Sequence, residues 1–238
     1  MIVLAIDTCD SRGSVAVLRD ESVLQVAVHD SAEDYSTWLL PAIGSVLGGA
    51  GLSMANVEAY AAAAGPGSFT GVRVALTTVK AWSEVYGRKI AAVSRLEALA
   101  VQTGAGLGYV AAFADARRGQ VFGAVYRRDG AGLERVGEEM VIPPEKFVEA
   151  AAEVAKGEGI SWVSTDADCV LQEQAWKMRE GRGEKVAAVS SVLAPSVGRI
   201  GWAQLLAGRF TDALTLDANY VRRSDAEVFW KGGSAHGS

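Results

Sequence analysis

Histidine is almost missing from this 238-residue chain, in which His29 and His236 are the whole supply. A metal site built on paired histidines is thereby excluded, and a Ser-His-Asp relay has no plausible member. Ser36 and Ser68 have no candidate base, so nucleophilic catalysis has little support. Cysteine is as scarce. Cys9 and Cys169 lie far apart and in no CxxC pattern, and they read as buried free thiols rather than a disulfide framework. Positive charge is also short. Lys plus Arg number 23 against 28 Asp plus Glu, for a net charge of −5 and a pI near 5.2. A polyanion such as RNA would therefore need a partner to be held tightly. No apolar run approaches the roughly 18 residues of a membrane span, and the opening MIVLAID has no basic leader. The expectation is a soluble cytoplasmic protein with no membrane partner.

What is present is apolar material: 50% of residues, enough for one large α/β domain or two small ones. IVLAI (2–6), GSVAVLR (13–19) and SVLQVAV (22–28) are β-rich and separated by short polar turns, as in an antiparallel meander. From Ser36 the spacing turns helical through Leu39, Leu40, Ile43, Val46 and Leu47, ending at GGAG. VEAYAAAA (57–64) reads as a buried strand, although its alanines leave a helix open. A helix over 70–86 stopped by Gly87 and the strand KIAAVS (89–94) follow. Ser94 and Glu97 then form a capping-box pattern that starts a further helix.

The second half repeats the first. YVAAFADARRGQVFGAVYRRDG (109–130) runs strand, aspartate, basic turn, glycine, strand, as does VLAIDTCDSRGSVAVLRDE (3–21). Asp7 and Asp115 close the first strands, and Gly13 and Gly119 open the second. A third strand (133–142) and a helical segment after Pro143-Pro144 complete the parallel, with a helix at 168–180, a strand KVAAVS and a helix at 196–207 beyond. The order βββαβα twice over predicts two lobes facing each other, 1–105 and 106–230, with 231–238 as a disordered, glycine-rich tail.

Three features carry the chemistry. Asp7 and Asp115 are either a pair of carboxylates in a degenerate nucleotide cleft or simple caps of their own turns. The turn Gly65-Pro66-Gly67-Ser68, with Gly71 beyond it, joins a strand to a helix. It either presents amides to an anion or is a tight connection needing close backbone approach, and it matches neither GxxxxGK[ST] nor GxGxxG. The helix after it bears two apolar stripes. One is Val72, Ala75, Leu76, Val79 and Trp82; the other is Val74, Thr78, Ala81 and Val85, with Arg73, Thr77, Lys80 and Glu84 as the polar face. The second stripe packs either within the monomer or on another chain, and with Trp38 and Leu39 it would form a docking face.

AxxxGPGSFTGVRVALTTVKAWSEVYGRKIAAVSRLEALA resembles the signature of the TsaB (YeaZ) family. So do LAIDTCDSRGSVAV, YSTWLLP, DARRGQVF and ANYVRR, so the likeness covers nearly the whole chain, strongly in the first half. The resemblance implies a duplicated actin, Hsp70 and sugar-kinase (ribonuclease H-like) fold. It also implies a noncatalytic relative of TsaD, which transfers a threonylcarbamoyl group to adenosine beside the tRNA anticodon. TsaD is the implied partner, with TsaE in the larger assembly, a homodimer in their absence, and tRNA met only through the complex. No cofactor and no resident metal are implied: where the catalytic relative carries HxxxH, this chain reads YSTWLLP. Carried over by position, the partner surface comprises Trp38, Leu39, Ile43, Val72, Arg73, Val74, Leu76 and Lys80. Tyr35 stands where many members have histidine, and Ala218-Asn219 where proline often precedes tyrosine. Leu39→Glu or Val74→Glu is expected to spare the fold and abolish association, unless unfolding reveals the stripe as core. A small-molecule kinase or ATPase of the same fold, using Asp7 and the glycine turn, is the rival reading. A metal-dependent peptidase is a third, against which the histidine count argues.

Overall fold

The computed structural model describes residues 1–104, 106, 108–130, 132–219 and 221. The expected tail, 231–238, and most of the final YVRR lie outside the described residues. In the first half, β1 (Ile2–Asp7), β2 (Ser14–Arg19) and β3 (Ser22–Val28) form the antiparallel meander. There follow α1 (Tyr35–Gly49), a 3₁₀ turn at Met54–Asn56, β4 (Ala59–Ala63), α2 (Phe69–Tyr86), β5 (Lys89–Val93) and α3 (Arg95–Ala100). β4 lies parallel to β1 and β5 parallel to β4, giving the order β3-β2-β1-β4-β5.

The second half copies this plan. β6 (Gly108–Asp115), β7 (Val121–Asp129) and β8 (Gly132–Ile142) form the meander, and α4 (Pro144–Ala155) and β9 (Ile160–Ser164) follow. Then come α5 (Asp168–Leu171), α6 (Gln174–Glu180), β10 (Val186–Ala188) and α7 (Ala194–Leu206). The sheet order β10-β9-β6-β7-β8 is that of the first sheet read from its other edge. Each half thus holds five strands with the same connections, the duplicated α/β architecture that the repeat predicts. The helix expected over 168–180 is broken between α5 and α6. Val170 and Trp176, six residues apart and so about 120° apart on one helix, are both buried in the same cluster, and the break lets each face it.

Helix placement is not symmetric with chain order. α1 and α2 cover one face of the first sheet, and α7, from the end of the chain, covers the other. α3, from the first half, packs instead on β6, β7 and β9 and also touches α7. The molecule is therefore layered as helices, sheet, α3 with α7, sheet, helices. One apolar core fills the middle layer between Ala5 and Leu18 on one side and Ala112 and Tyr126 on the other and continues through the first sheet to Leu39 and Val72 under α1 and α2, and a second lies outside the second sheet around Phe113, Phe147, Trp162 and Trp176. The alanine-rich β4 is buried along its whole length because helices press closely on it: a Cβ at Gly201 of α7 would lie 2.5 Å from the Ala61 Cβ. Ser14 joins the halves directly, its buried hydroxyl accepting the Ala194 amide at 3.0 Å where α7 begins. No helix among the described residues is long and apolar enough to cross a membrane.

Candidate functional site

The glycine turn between β4 and α2 is packed against the β1–β2 loop. A Cβ at Gly67 would run into the Cys9 carbonyl oxygen, and one at Gly71 into that of Thr8. The Ser68 amide already donates to Cys9 O at 2.7 Å, the Gly71 amide to Ser68 Oγ at 3.3 Å, and the Thr8 hydroxyl to Gly71 O at 2.6 Å. Gly65, at φ +109, faces the Asn219 carbonyl, and Pro66 is buried behind it. These glycines let two backbones meet, and two of the turn's amides, those of Ser68 and Gly71, are already bonded inside the protein. Of the two readings of this turn, the geometry favours the tight connection.

Beyond the turn, Ser68 caps α2 and the helix runs to the left-handed Gly87. Val72, Ala75, Leu76 and Val79 point into the sheet and are buried. The second stripe is not covered within the monomer: Val74 and Thr78 are half-buried, Ala81 is exposed, and Val85 is 73% exposed. α1 lies alongside, and between the two helices runs a groove of about 470 Å³ whose walls include Leu40, Phe69, Arg73, Val74 and Thr77. Tyr35 closes one end. Its ring packs at a tilt of 45° against His29, with centroids 4.5 Å apart, its hydroxyl donates to the Asp10 carbonyl, and burial pushes its pKa well up. Trp38 is half-buried in edge contact with the same histidine at 5.1 Å.

The eight expected interface residues therefore divide. Arg73 is exposed, with its guanidinium 3.7 Å over the Phe69 ring, and Trp38, Val74 and Lys80 are half-buried at the surface. Leu39, Ile43, Val72 and Leu76 belong to the core, at 1–5% exposure, and support the face from beneath. The expectation that a charge at Leu39 spares the fold gives way here: that side chain is core. Leu40 and Phe69, at 56% and 40% exposure, are the large apolar groups the positional carry-over missed. Part of the signal was available: neighbours on a helix point about 100° apart, so Leu39 and Leu40 cannot share one face, but the spacing does not say which of the two is core.

Asp7 and Asp115 do the same local work in the two halves. Asp7 accepts the Cys9 amide at 2.9 Å, and Asp115 accepts the Arg117 amide at 2.7 Å. Each caps the turn that follows its strand. Asp115 is further paired with Arg117 Nη1 at 2.9 Å. Asp7 is buried, which raises its pKa, and the nearby Arg95 guanidinium offsets part of that rise. Arg95, itself buried, makes its ion pair with Asp10 at 2.5 Å, so its charge is met by a carboxylate of the same loop. Among the described residues no three His, Cys, Asp or Glu side chains are grouped to hold a metal ion.

Comparison with known proteins bears on this geometry. The family model described as TsaD: tRNA N6-adenosine threonylcarbamoyltransferase matches residues 26–206. The tRNA threonylcarbamoyladenosine biosynthesis protein TsaB of Bacillus subtilis is 34% identical over 136 residues, 57% of this chain and 59% of that protein. The aligned stretch thus spans about three fifths of that relative's length. A crystal structure from Pseudomonas aeruginosa, described as an uncharacterized protein with similarity to peptidase YeaZ, superposes with a TM-score of 0.73 at 25% identity, covering 93% of this chain and 99% of that one. The ROK hexokinase of Thermus thermophilus shares the fold alone, with a TM-score of 0.52 at 11% identity over 86% of this chain and 100% of its own. That likeness sets the two repeated sheets among sugar-kinase-like architectures. With a family model matching residues 26–206, a TsaB relative 34% identical over 136 residues and a YeaZ-like structure superposing over 93% of the chain, the chain belongs to the TsaB (YeaZ) family within the group that the TsaD model describes.

Proposed function

We propose that this chain is a noncatalytic partner of TsaD in forming threonylcarbamoyladenosine beside the tRNA anticodon. It holds the transferase competent in an assembly that TsaE joins, meets tRNA only through that assembly, and pairs with a second copy of itself when TsaD is absent. The observation that carries the reading is the α1–α2 groove with the uncovered stripe beside it. Leu40, Phe69, Val74 and Val85 stay at the surface over a rigid floor of Leu39, Ile43, Val72 and Leu76. Such a face suits protein docking better than a small ligand, being an apolar groove between two helices that continues into the exposed stripe of α2, with Arg73 at its wall. The internal bonding of the Ser68 and Gly71 amides, the close packing of the turn on the Thr8 and Cys9 carbonyls and the turn-capping role of Asp7 favour an accessory subunit over a kinase.

The test is to mix the purified chain with its cognate TsaD. Comigration on gel filtration and a threonylcarbamoyl transfer rate that depends on the chain are expected. No complex and no dependence would sink the reading, and tight ATP binding with turnover by the isolated chain would favour the kinase alternative.

A further inference from the structure

The glycine turn that starts the docking helix is held from two sides, and the second hold comes from the other half of the molecule. Asn219 lies across the turn: its amide donates to Ala64 O at 2.8 Å, and its carbonyl oxygen sits 2.9 Å from where a Cβ at Gly65 would be. On the opposite side the Arg95 amide donates to Gly65 O at 2.7 Å. One buried carboxylate links these two holds. Glu139, on β8, has a side chain only 3% exposed. Its Oε2 accepts Asn219 Nδ2 at 2.6 Å and its Oε1 accepts the Ser94 hydroxyl at 2.5 Å, with Arg135 Nη1 at 3.4 Å. Ser94 Oγ also accepts the Leu96 and Glu97 amides, at 3.1 and 3.3 Å, so its hydroxyl hydrogen is committed to Glu139. A ring of hydrogen bonds thus encloses Ala64 and Gly65, and Glu139 closes it.

A buried carboxylate accepting two charge-assisted hydrogen bonds from residues 45 and 80 positions away fixes geometry as well as adding energy. The structure of β8 itself does not call for it, since a charged side chain is costly in a buried position unless its bonds are complete. What the ring holds is the entry to α2, and α2 is half of the docking groove.

We propose that Glu139 and Asn219 are positioning residues for partner binding: a latch by which the second half of the chain sets the first turn of α2, and with it the shape of the groove. The inference rests on the docking role proposed above.

The hydrogen-bond polarity of the latch supplies its test. In Glu139→Leu, an apolar side chain of similar length, neither Ser94 nor Asn219 finds an acceptor, so both arms are lost. In Asn219→Asp two carboxylates confront each other. In the double variant E139Q/N219D the glutamine oxygen accepts from Ser94 and its NH₂ donates to the carboxylate introduced at position 219, so both arms return. The full-length chain and its cognate TsaD are used throughout, with dissociation constants measured by calorimetry. Hydrogen exchange of the peptide spanning 64–72 is followed in the free chain.

Each single variant is expected to exchange faster over 64–72 and to bind TsaD about tenfold more weakly, and the double variant to recover both within about threefold. Unchanged exchange in the single variants would overturn the latch. Faster exchange with wild-type affinity would overturn its coupling to docking, and failure of the double variant to recover either quantity would reduce the pair to general stability. If the wild-type chain itself fails to bind TsaD, the partner reading falls, while the exchange pattern still decides whether the latch exists.

Discussion

Replacing Leu40 with aspartate tests the docking face at a side chain that the fold does not use, and the residue before it provides the control. Leu40 is 56% exposed on the groove side of α1, whereas Leu39 is 1% exposed and packed beneath. Aspartate at an exposed helical site costs up to about 0.7 kcal/mol in propensity, and surface changes of this kind stay within about 1 kcal/mol in all. The loss on association is larger. Covering the 56% of this leucine that is exposed contributes roughly 0.8–1.7 kcal/mol, so its removal alone weakens a complex roughly 4- to 17-fold, before the cost of desolvating the new carboxylate. Leu39→Ala reverses the balance, costing the fold about 2–5 kcal/mol through lost burial and the cavity left behind. Urea unfolding and gel filtration with cognate TsaD, run on both variants, read the two quantities separately. The reasoning is refuted if Leu40→Asp binds like the wild type, or if Leu39→Ala unfolds at the wild-type midpoint.

Three further outcomes follow from the same structure. Gly71→Ala drives a methyl group into the Thr8 carbonyl. It should destabilise by about 1–3 kcal/mol despite alanine's better helix propensity, and a higher urea midpoint would show that the loop has room. Asp7 has a folded pKa above its ordinary 3.8 because it is buried, so the native state holds that proton more firmly than the unfolded chain, and stability declines as pH rises from 3.8 through the folded value. Asp7→Asn, which keeps an acceptor for the Cys9 amide, should flatten that decline in melting temperatures taken between about pH 4 and 8, and an unchanged slope would assign it to other groups. Ser14→Ala leaves the Ala194 amide buried without its acceptor and should cost about 1–3 kcal/mol by urea unfolding; a neutral result would mean water takes the serine's place.

Much of the fold was legible because its signals are local. Short β-rich runs, turn residues at matching offsets and the Asp-to-Gly spacing in each half specify two meanders, and the sheet order follows from repeating one connection pattern. The side of a sheet that a helix covers is not a local property. Nothing within SVGRIGWAQLL says that Gly198 and Gly201 belong against Leu18 and Ala61 of the first half, because that match exists only between surfaces far apart in sequence. The proposed docking face shows the same division. Its stripe on α2 was visible as periodicity, yet a run such as WLLP does not declare which leucine is core until the helix is set against β2 and β3. Glu139 left no trace, since LERVGEEMVI reads as an exposed strand and its partners, Ser94 and Asn219, come from separate segments.

The crossing of α3 and α7 has a consequence in time. The face of the first sheet that α7 covers carries Ala5 and Leu18, and the Ser14–Ala194 contact that seats the helix spans 180 residues. At roughly 5–20 residues per second, a ribosome needs about 9–36 s to make that stretch. Throughout that interval the nascent first half holds its strands with one apolar side bare, a period long compared with hairpin formation and long enough for a chaperone to engage it. The first half is synthesised early but is finished last, and its exposure is set by the rate of translation.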